Sequence, residues 1–238
     1  MKDVKISFDS EIKKYFSKLV GSGFEEVMIN FDKNRIRIEQ GSKDRSKILQ
    51  LIVTDKNENV LEYSVKKPFS VIVHDINMFV KYLNLFSDVS ITYDDEDMKI
   101  ILHDDKKKVN VFLIDEQYFD KTFIVKKDVD FEIKEIETDL LKDTIKSYSY
   151  VSAEYMKLFT EDGVLKYRAG ERDVIEGVIK KIDIEVPEVF VSNEFIEVVR
   201  NIQESKVDMN IDENMVSVRE EGEGYVFIGH VSTVTVEI

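Results

Sequence analysis

The 238-residue chain has no cysteine, two prolines, nine glycines and three histidines. Without cysteine there are no disulfides, thiolate metal ligands or cysteine nucleophiles, which fits a cytosolic protein. With so little proline and glycine, no flexible or low-complexity linker divides the chain, so any two domains are joined closely. No apolar run approaches the ~20 residues of a membrane helix. The opening Met1-Lys2-Asp3-Val4 lacks the charged-then-apolar pattern of a secretory signal. A cytoplasmic location with no membrane partner is expected.

Catalytic motifs are scarce too. His74, His103 and His230 have no metal-ligand companions at suitable spacing. Walker-type, GxGxxG and GxSxG loops are missing. Asp94-Asp95-Glu96-Asp97 is acidic enough to attract a cation, but it lacks calcium-loop spacing and its glycine, and reads more simply as a solvated turn. No catalytic residue, metal or cofactor is expected. Positive charge is also in deficit, with 34 Lys and Arg against 48 Asp and Glu, a net charge of −14. Such a surface repels phosphates as a whole and favours solubility. Any binding of nucleic acid must therefore depend on where the lysines sit.

What the chain does have is a repeat. Apolar residues make up 43% of it, enough for a folded core. Pro68 precedes Phe69-Ser70-Val71-Ile72-Val73 and a helical stretch at 75–86; Pro187 precedes Glu188-Val189-Phe190-Val191 and a helical stretch at 193–203. Downstream, Met98-Lys99-Ile100-Ile101 matches Met215-Val216-Ser217-Val218, and Val109-Asn110-Val111-Phe112 matches Tyr225-Val226-Phe227-Ile228. Upstream, a strand at 4–8 and a helix with Ile12, Phe16 and Leu19 parallel a strand at 129–133 and a helix with Leu141, Ile145 and Tyr148. Each half reads as strand, helix, three strands, then strand, helix, three strands.

Ile76, Phe79, Val80, Leu83 and Phe86 form one apolar stripe at helical spacing. Asp9, Asp75 and Asn193 stand at N-cap positions. Polar turns make consecutive strands antiparallel. The expected fold class is α+β, with an N-terminal domain at 1–113, a connecting segment at 114–129 and a C-terminal domain at 130–238. Two short helices pack on the sheets of each domain. The connecting segment carries Tyr118, Phe119 and Phe123 and belongs to neither repeat.

Two like halves joined by an aromatic-bearing crossover resemble the trimeric DNA sliding clamps. These are the family of proliferating cell nuclear antigen and of the clamps of large tailed phages. The closest stretches are Val71-Ile72-Val73-His74-Asp75-Ile76-Asn77-Met78-Phe79-Val80-Lys81-Tyr82-Leu83 and Tyr225-Val226-Phe227-Ile228-Gly229-His230-Val231-Ser232. The order and spacing of elements carry the likeness more than any motif. The compact length leans towards the phage form, and so towards a phage-infected or prokaryotic cell.

The resemblance implies the DNA clamp fold, with three subunits in a pseudo-six-fold ring, helices lining the hole and sheets outside. Four helices per subunit, each about 10 Å wide, would leave a hole roughly 28 Å across, wide enough for duplex DNA. It implies a non-catalytic processivity factor whose partners are encircled duplex DNA, a DNA polymerase, a clamp-loader ATPase and two further copies of itself. On the helix faces opposite the apolar stripes stand Lys13, Lys14, Lys18, Asn77, Lys81, Lys142, Lys146 and Arg200, the candidates to face DNA; a solvated polar face is the plainer alternative. Glu197 and Glu204 beside Arg200 count against a uniformly basic lining. The resemblance further places Val109, Val111 and Leu113 on one subunit edge and Ile175, Val178 and Ile179 on the edge it meets. Lys106, Lys107 and Lys108 would oppose Glu171, Asp173 and Glu176 there, unless these are ordinary turn charges. Phe119, Phe123, Ile124, Val231 and Val234 would line a pocket for a partner's apolar peptide. Two other readings stay open: a duplicated β-rich interaction scaffold that does not encircle DNA, and an enzyme with an unrecognised carboxylate site.

Overall fold

A computed structural model describes residues 4–20, 26–42, 44, 46–119, 129–151, 153–170 and 173–236. The first half runs β1 (Val4–Phe8), α1 (Lys13–Phe16), β2 (Val27–Phe31), β3 (Arg35–Gly41), β4 (Lys47–Thr54), β5 (Val60–Val65), β6 (Phe69–Val73), α2 (Ile76–Leu83), β7 (Val89–Asp94), β8 (Lys99–His103) and β9 (Lys108–Ile114). The second runs β10 (Ile133–Glu137), α3 (Thr138–Val151), β11 (Met156–Glu161), β12 (Val164–Ala169), β13 (Ile175–Lys181), β14 (Val189–Val191), α4 (Asn193–Arg200), β15 (Lys206–Ile211), β16 (Met215–Gly222) and β17 (Tyr225–Ser232). The expected α+β class and the repeat are both present. One strand differs from expectation. β5, in which Leu61-Glu62-Tyr63-Ser64-Val65 alternates apolar and polar, adds to the edge of β1 and has no counterpart among the described residues of the second half.

The repeat is visible in pairing as well as order. β2 pairs with β3 and β6 as β11 pairs with β12 and β14. β7 joins β1 to β8 as β15 joins β10 to β16. Even the link of β6 to β9, through Ile72 and Ile114, has an echo in the single bridge from Phe190 to Val234. All these pairs are antiparallel. The β11–β12 hairpin turns on Asp162 and Gly163, both at positive φ (52° and 69°), the conformation a two-residue hairpin loop needs.

Two compact units result. One comprises Met1–Lys43, Leu49–Ile124 and Gly222–Phe227; the other comprises Asp44–Ile48, Val125–Glu221 and Ile228–Ile238. Each takes a short segment from the other half of the sequence, which a contiguous division at 114–129 does not provide for.

In the first unit the helices are fixed by aromatic packing. Phe16 of α1 lies 6.4 Å from Phe8 of β1 and 6.1 Å from Phe79 of α2, ring centre to ring centre, and all three are buried. Asp75 caps α2 as expected, accepting from the Asn77 and Met78 amides at 2.8 and 3.1 Å. Asp9 likewise accepts from Glu11 at 2.9 Å. The cap expected at Asn193 stands one residue earlier. Asn193 is already helical, and Ser192 takes the extended N-cap conformation while its hydroxyl turns to Glu194.

In the second unit α4 settles onto β17 at Gly229, where a Cβ would meet a Val198 methyl at 2.3 Å. Tyr167 lays its ring over Gly177 and hydrogen-bonds Ser147 of α3 at 3.0 Å. Buried Glu220 accepts from the Gln203 and Glu204 amides, both at 2.8 Å, and so ties down the chain leaving α4.

His230 of β17 is buried beside Ser217, sharing a 2.8 Å hydrogen bond through Nδ1, while Nε2 finds no partner among the described residues. Burial pushes its pKa from 6.5 down to about 4. The unfolded chain binds the proton first, so this contribution to stability is complete above 6.5 and falls as pH drops towards 4. His230→Gln should remove about 2 kcal/mol of the loss in unfolding free energy between about pH 7 and about pH 4.5, read by urea titration. An unchanged loss in the variant contradicts this.

Candidate nucleic-acid interface

Short helices hold a position only if their ends and buried faces are tied. α1 is one turn long, extended by 3-10 turns at Ser10–Ile12 and Ser17–Leu19. Its anchor is Tyr15, hydrogen-bonded to Asn59 at 3.2 Å, with its ring 4.4 Å from that of Tyr225. α2 turns Ile76, Phe79, Val80 and Leu83 inward. That leaves Lys81 exposed, with Asn77, Lys13 and Lys14 half-buried. The Lys14 ammonium sits 5.0 Å over the Tyr15 ring.

Lys18 requires a correction. Helical spacing puts it on the solvent face, but it is 1% exposed, with its ammonium 5.5 Å from the rings of both Tyr225 and Phe227. The cause is local. The tighter 3-10 turn at 17–19 rotates successive side chains by more than an α-helix does. The Lys18 stem therefore turns onto the aromatic surface, where its apolar methylenes pack and its charge faces the rings. It is not a DNA-facing residue in this structure.

In the second unit the structure gathers three sequence candidates. Lys142 and Lys146 of α3 and Arg200 of α4 line one groove of about 450 Å3, together with Ile145, Ser149 and Tyr150. Lys146 and Arg200 are exposed, and Lys142 is half-buried. Asp143 pairs with Lys146 at 2.8 Å and holds its ammonium pKa above the ordinary value. Glu197, the acid expected to weaken this face, is bound to the buried ammonium of Lys47, which offsets its charge. Tyr150 is the residue that sequence reasoning missed. It is 82% exposed and continues the i, i+4 row of Lys142 and Lys146.

The strand edges also differ from expectation in detail. Among the described residues β9 pairs along 108–112 with β8 only, and β13 pairs with β12 only. The outer backbone edges of β9 over 108–112 and of β13 therefore have no partner strand among the described residues. Val111 and Ile179, proposed there, are buried in their own units, 7% and 0% exposed. Alternation turns them inward, and the side chains facing out are Phe112, 70% exposed, and Val178, 56% exposed, with Val174 nearby. Val109, Leu113 and Ile175 are half-buried. Glu176 is held by Arg168 at 2.6 Å, and Lys107 donates to the Leu85 carbonyl at 2.8 Å, so both charges are partly occupied. Glu171 lies outside the described residues.

Of the peptide-pocket candidates, Phe119 and Val234 are half-buried. Val231 is 1% exposed: it points from β17 into the core and offers no side-chain surface. Phe123 and Ile124 lie outside the described residues.

No family model and no curated protein matches the sequence. Solved structures do match. The PCNA of Thermococcus kodakaraensis aligns at a TM-score of 0.78 with 14% identity, covering 97% of this chain and 100% of that one. The A. fulgidus PCNA, solved with the C-terminal region of FEN-1 bound, aligns at 0.82 with 12% identity, covering 99% and 100%. The Entamoeba histolytica PCNA aligns at 0.78 with 11% identity, covering 99% and 100%. The chain has the PCNA-like clamp fold over nearly its whole length.

Lys18 and Lys81 should behave oppositely on truncation. Lys18→Ala should lower unfolding free energy by about 2 kcal/mol, and Lys81→Ala should stay within about 0.5 kcal/mol of the parent, by urea titration. Equal, small effects contradict the burial of Lys18.

Proposed function

We propose that the chain is a sliding clamp, a non-catalytic processivity factor. Three copies close head to tail around duplex DNA and tether a polymerase, with a clamp-loader ATPase opening the ring. The expected setting is the cytoplasm of a prokaryotic or phage-infected cell. The observation that carries the reading is the pair of strand edges, 108–112 of β9 and β13, that have no partner among the described residues, on a chain with the clamp fold along nearly its whole length. An exposed apolar edge invites pairing with another chain. Joining β9 of one copy to β13 of the next satisfies both and buries Phe112 against Val174 and Val178.

Physical chemistry supports the DNA side of the reading. A ring that holds DNA by topology needs little affinity, and a net charge of −14 opposes adsorption to DNA from outside. Lys13, Lys14, Lys81, Lys142, Lys146 and Arg200 stay as the cations turned away from the cores. Partners would dock through short apolar peptides, with Phe119 and Val234 the remaining described candidates.

The parent should run as a species of three times 27.8 kDa and should extend the products of a cognate polymerase. Phe112→Asp, which places a charge on the edge, should weaken assembly at least about tenfold and abolish the extension, leaving a folded monomer. A monomeric parent, or an unaffected variant, contradicts the reading.

A further inference from the structure

The α3–α4 groove has more than a cation-lined wall needs. A surface that only lets duplex DNA slide by requires diffuse positive charge. Here three cations converge on a concave space of about 450 Å3 whose floor is apolar Ile145, and a tyrosine ring stands at its rim almost wholly in solvent. That volume lies in the range of small-ligand pockets. A large exposed aromatic is costly to solubility unless a partner covers it, and cations around the ring favour an anionic partner over an apolar peptide.

An aromatic platform beside basic side chains is how proteins hold unpaired nucleic acid. Every base has a face that can stack, and the phosphates that follow it need counter-charge. In an intact duplex both faces of a base are already stacked, so the ring can be used only where a base is unpaired. We propose that the groove binds an unpaired nucleotide of a DNA strand, with the base on the Tyr150 ring and the flanking phosphates among Lys142, Lys146 and Arg200. The Ser149 hydroxyl donates to the Ile145 carbonyl at 3.0 Å, which leaves its oxygen to accept from a base amino group. The site goes beyond the encircling of duplex DNA and does not require a closed ring, because all of its residues belong to one unit. Asp143, paired with Lys146 at 2.8 Å, is the charge a phosphate must compete with.

Fluorescence anisotropy at low salt, with the full-length protein, tests this. The probes are a labelled thymidine oligonucleotide and a strand of equal length and charge whose central positions are abasic. The parent should bind the thymidine strand about tenfold more tightly than the abasic one. Tyr150→Ala should remove that preference, and Tyr150→Phe should keep it, since the ring and not the hydroxyl does the stacking. Circular dichroism confirms that each variant is folded. Equal binding of the two strands by the parent overturns the proposal and leaves a plain anion site for phosphate backbone or an acidic peptide. A preference that survives Tyr150→Ala, or is lost in Tyr150→Phe, overturns it as well. None of these outcomes depends on ring closure, so a monomeric protein that still prefers the thymidine strand would sink the clamp reading and keep this one.

Discussion

Each helix in this protein is too short to stand alone, and everything else follows from where its apolar stripe is buried. Isolated helices of 4 to 14 residues are marginal in water and persist only by packing. Here α1 and α2 pack through Phe16 and Phe79 onto the strands of one unit, and α4 packs onto Gly229 of the other. Burying one stripe fixes which side chains face the other way. Those include most of the few cations that an otherwise acidic chain places on its helices. The distribution of charge is thus a consequence of the core.

The same packing leaves the sheets with ends. A domain built from a repeated strand–helix–strand unit cannot pair every strand within itself unless it closes. Among the described residues, 108–112 of β9 and β13 keep free outer edges with exposed apolar side chains on them. A chain that had to remain solitary would be expected to blunt such edges with charge. Phe112 does the reverse, which is why self-association is central to the proposed function, while acidity elsewhere discourages indiscriminate contacts.

The architecture was legible in the sequence because two independent signals agreed: helical stripes at 75–86 and 193–203, and the same order of elements twice. Asp75 was readable as a cap because it directly precedes the stripe. The misreadings have common physical causes. α-helical spacing puts Lys18 on the solvent face, but its turn is 3-10, and a lysine stem is apolar enough to be buried on Tyr225 and Phe227 once its position rotates. The resemblance puts Val111 and Ile179 on the subunit edge, but alternation in a strand sends them to the core and leaves Phe112 and Val178 outside. β5 carries a strand signal, Leu61-Glu62-Tyr63-Ser64-Val65 alternating apolar and polar, but it has no partner in the other copy of the repeat, so the repeat does not reveal it. Tyr150 was passed over because aromatics in a helix are expected inside; the i, i+4 row of Lys142 and Lys146 was the signal that could have found it.

The central claim is that DNA is held by enclosure and not by adhesion. It is tested most directly by loading the protein, with a cognate clamp loader and ATP, onto nicked circular DNA, isolating the complex in high salt, and then cutting the circle once with a restriction enzyme. The account predicts that the protein stays on the circle in salt that screens its cations and slides off the linear form. Loss from the circle in high salt, or retention on the cut DNA, would contradict it.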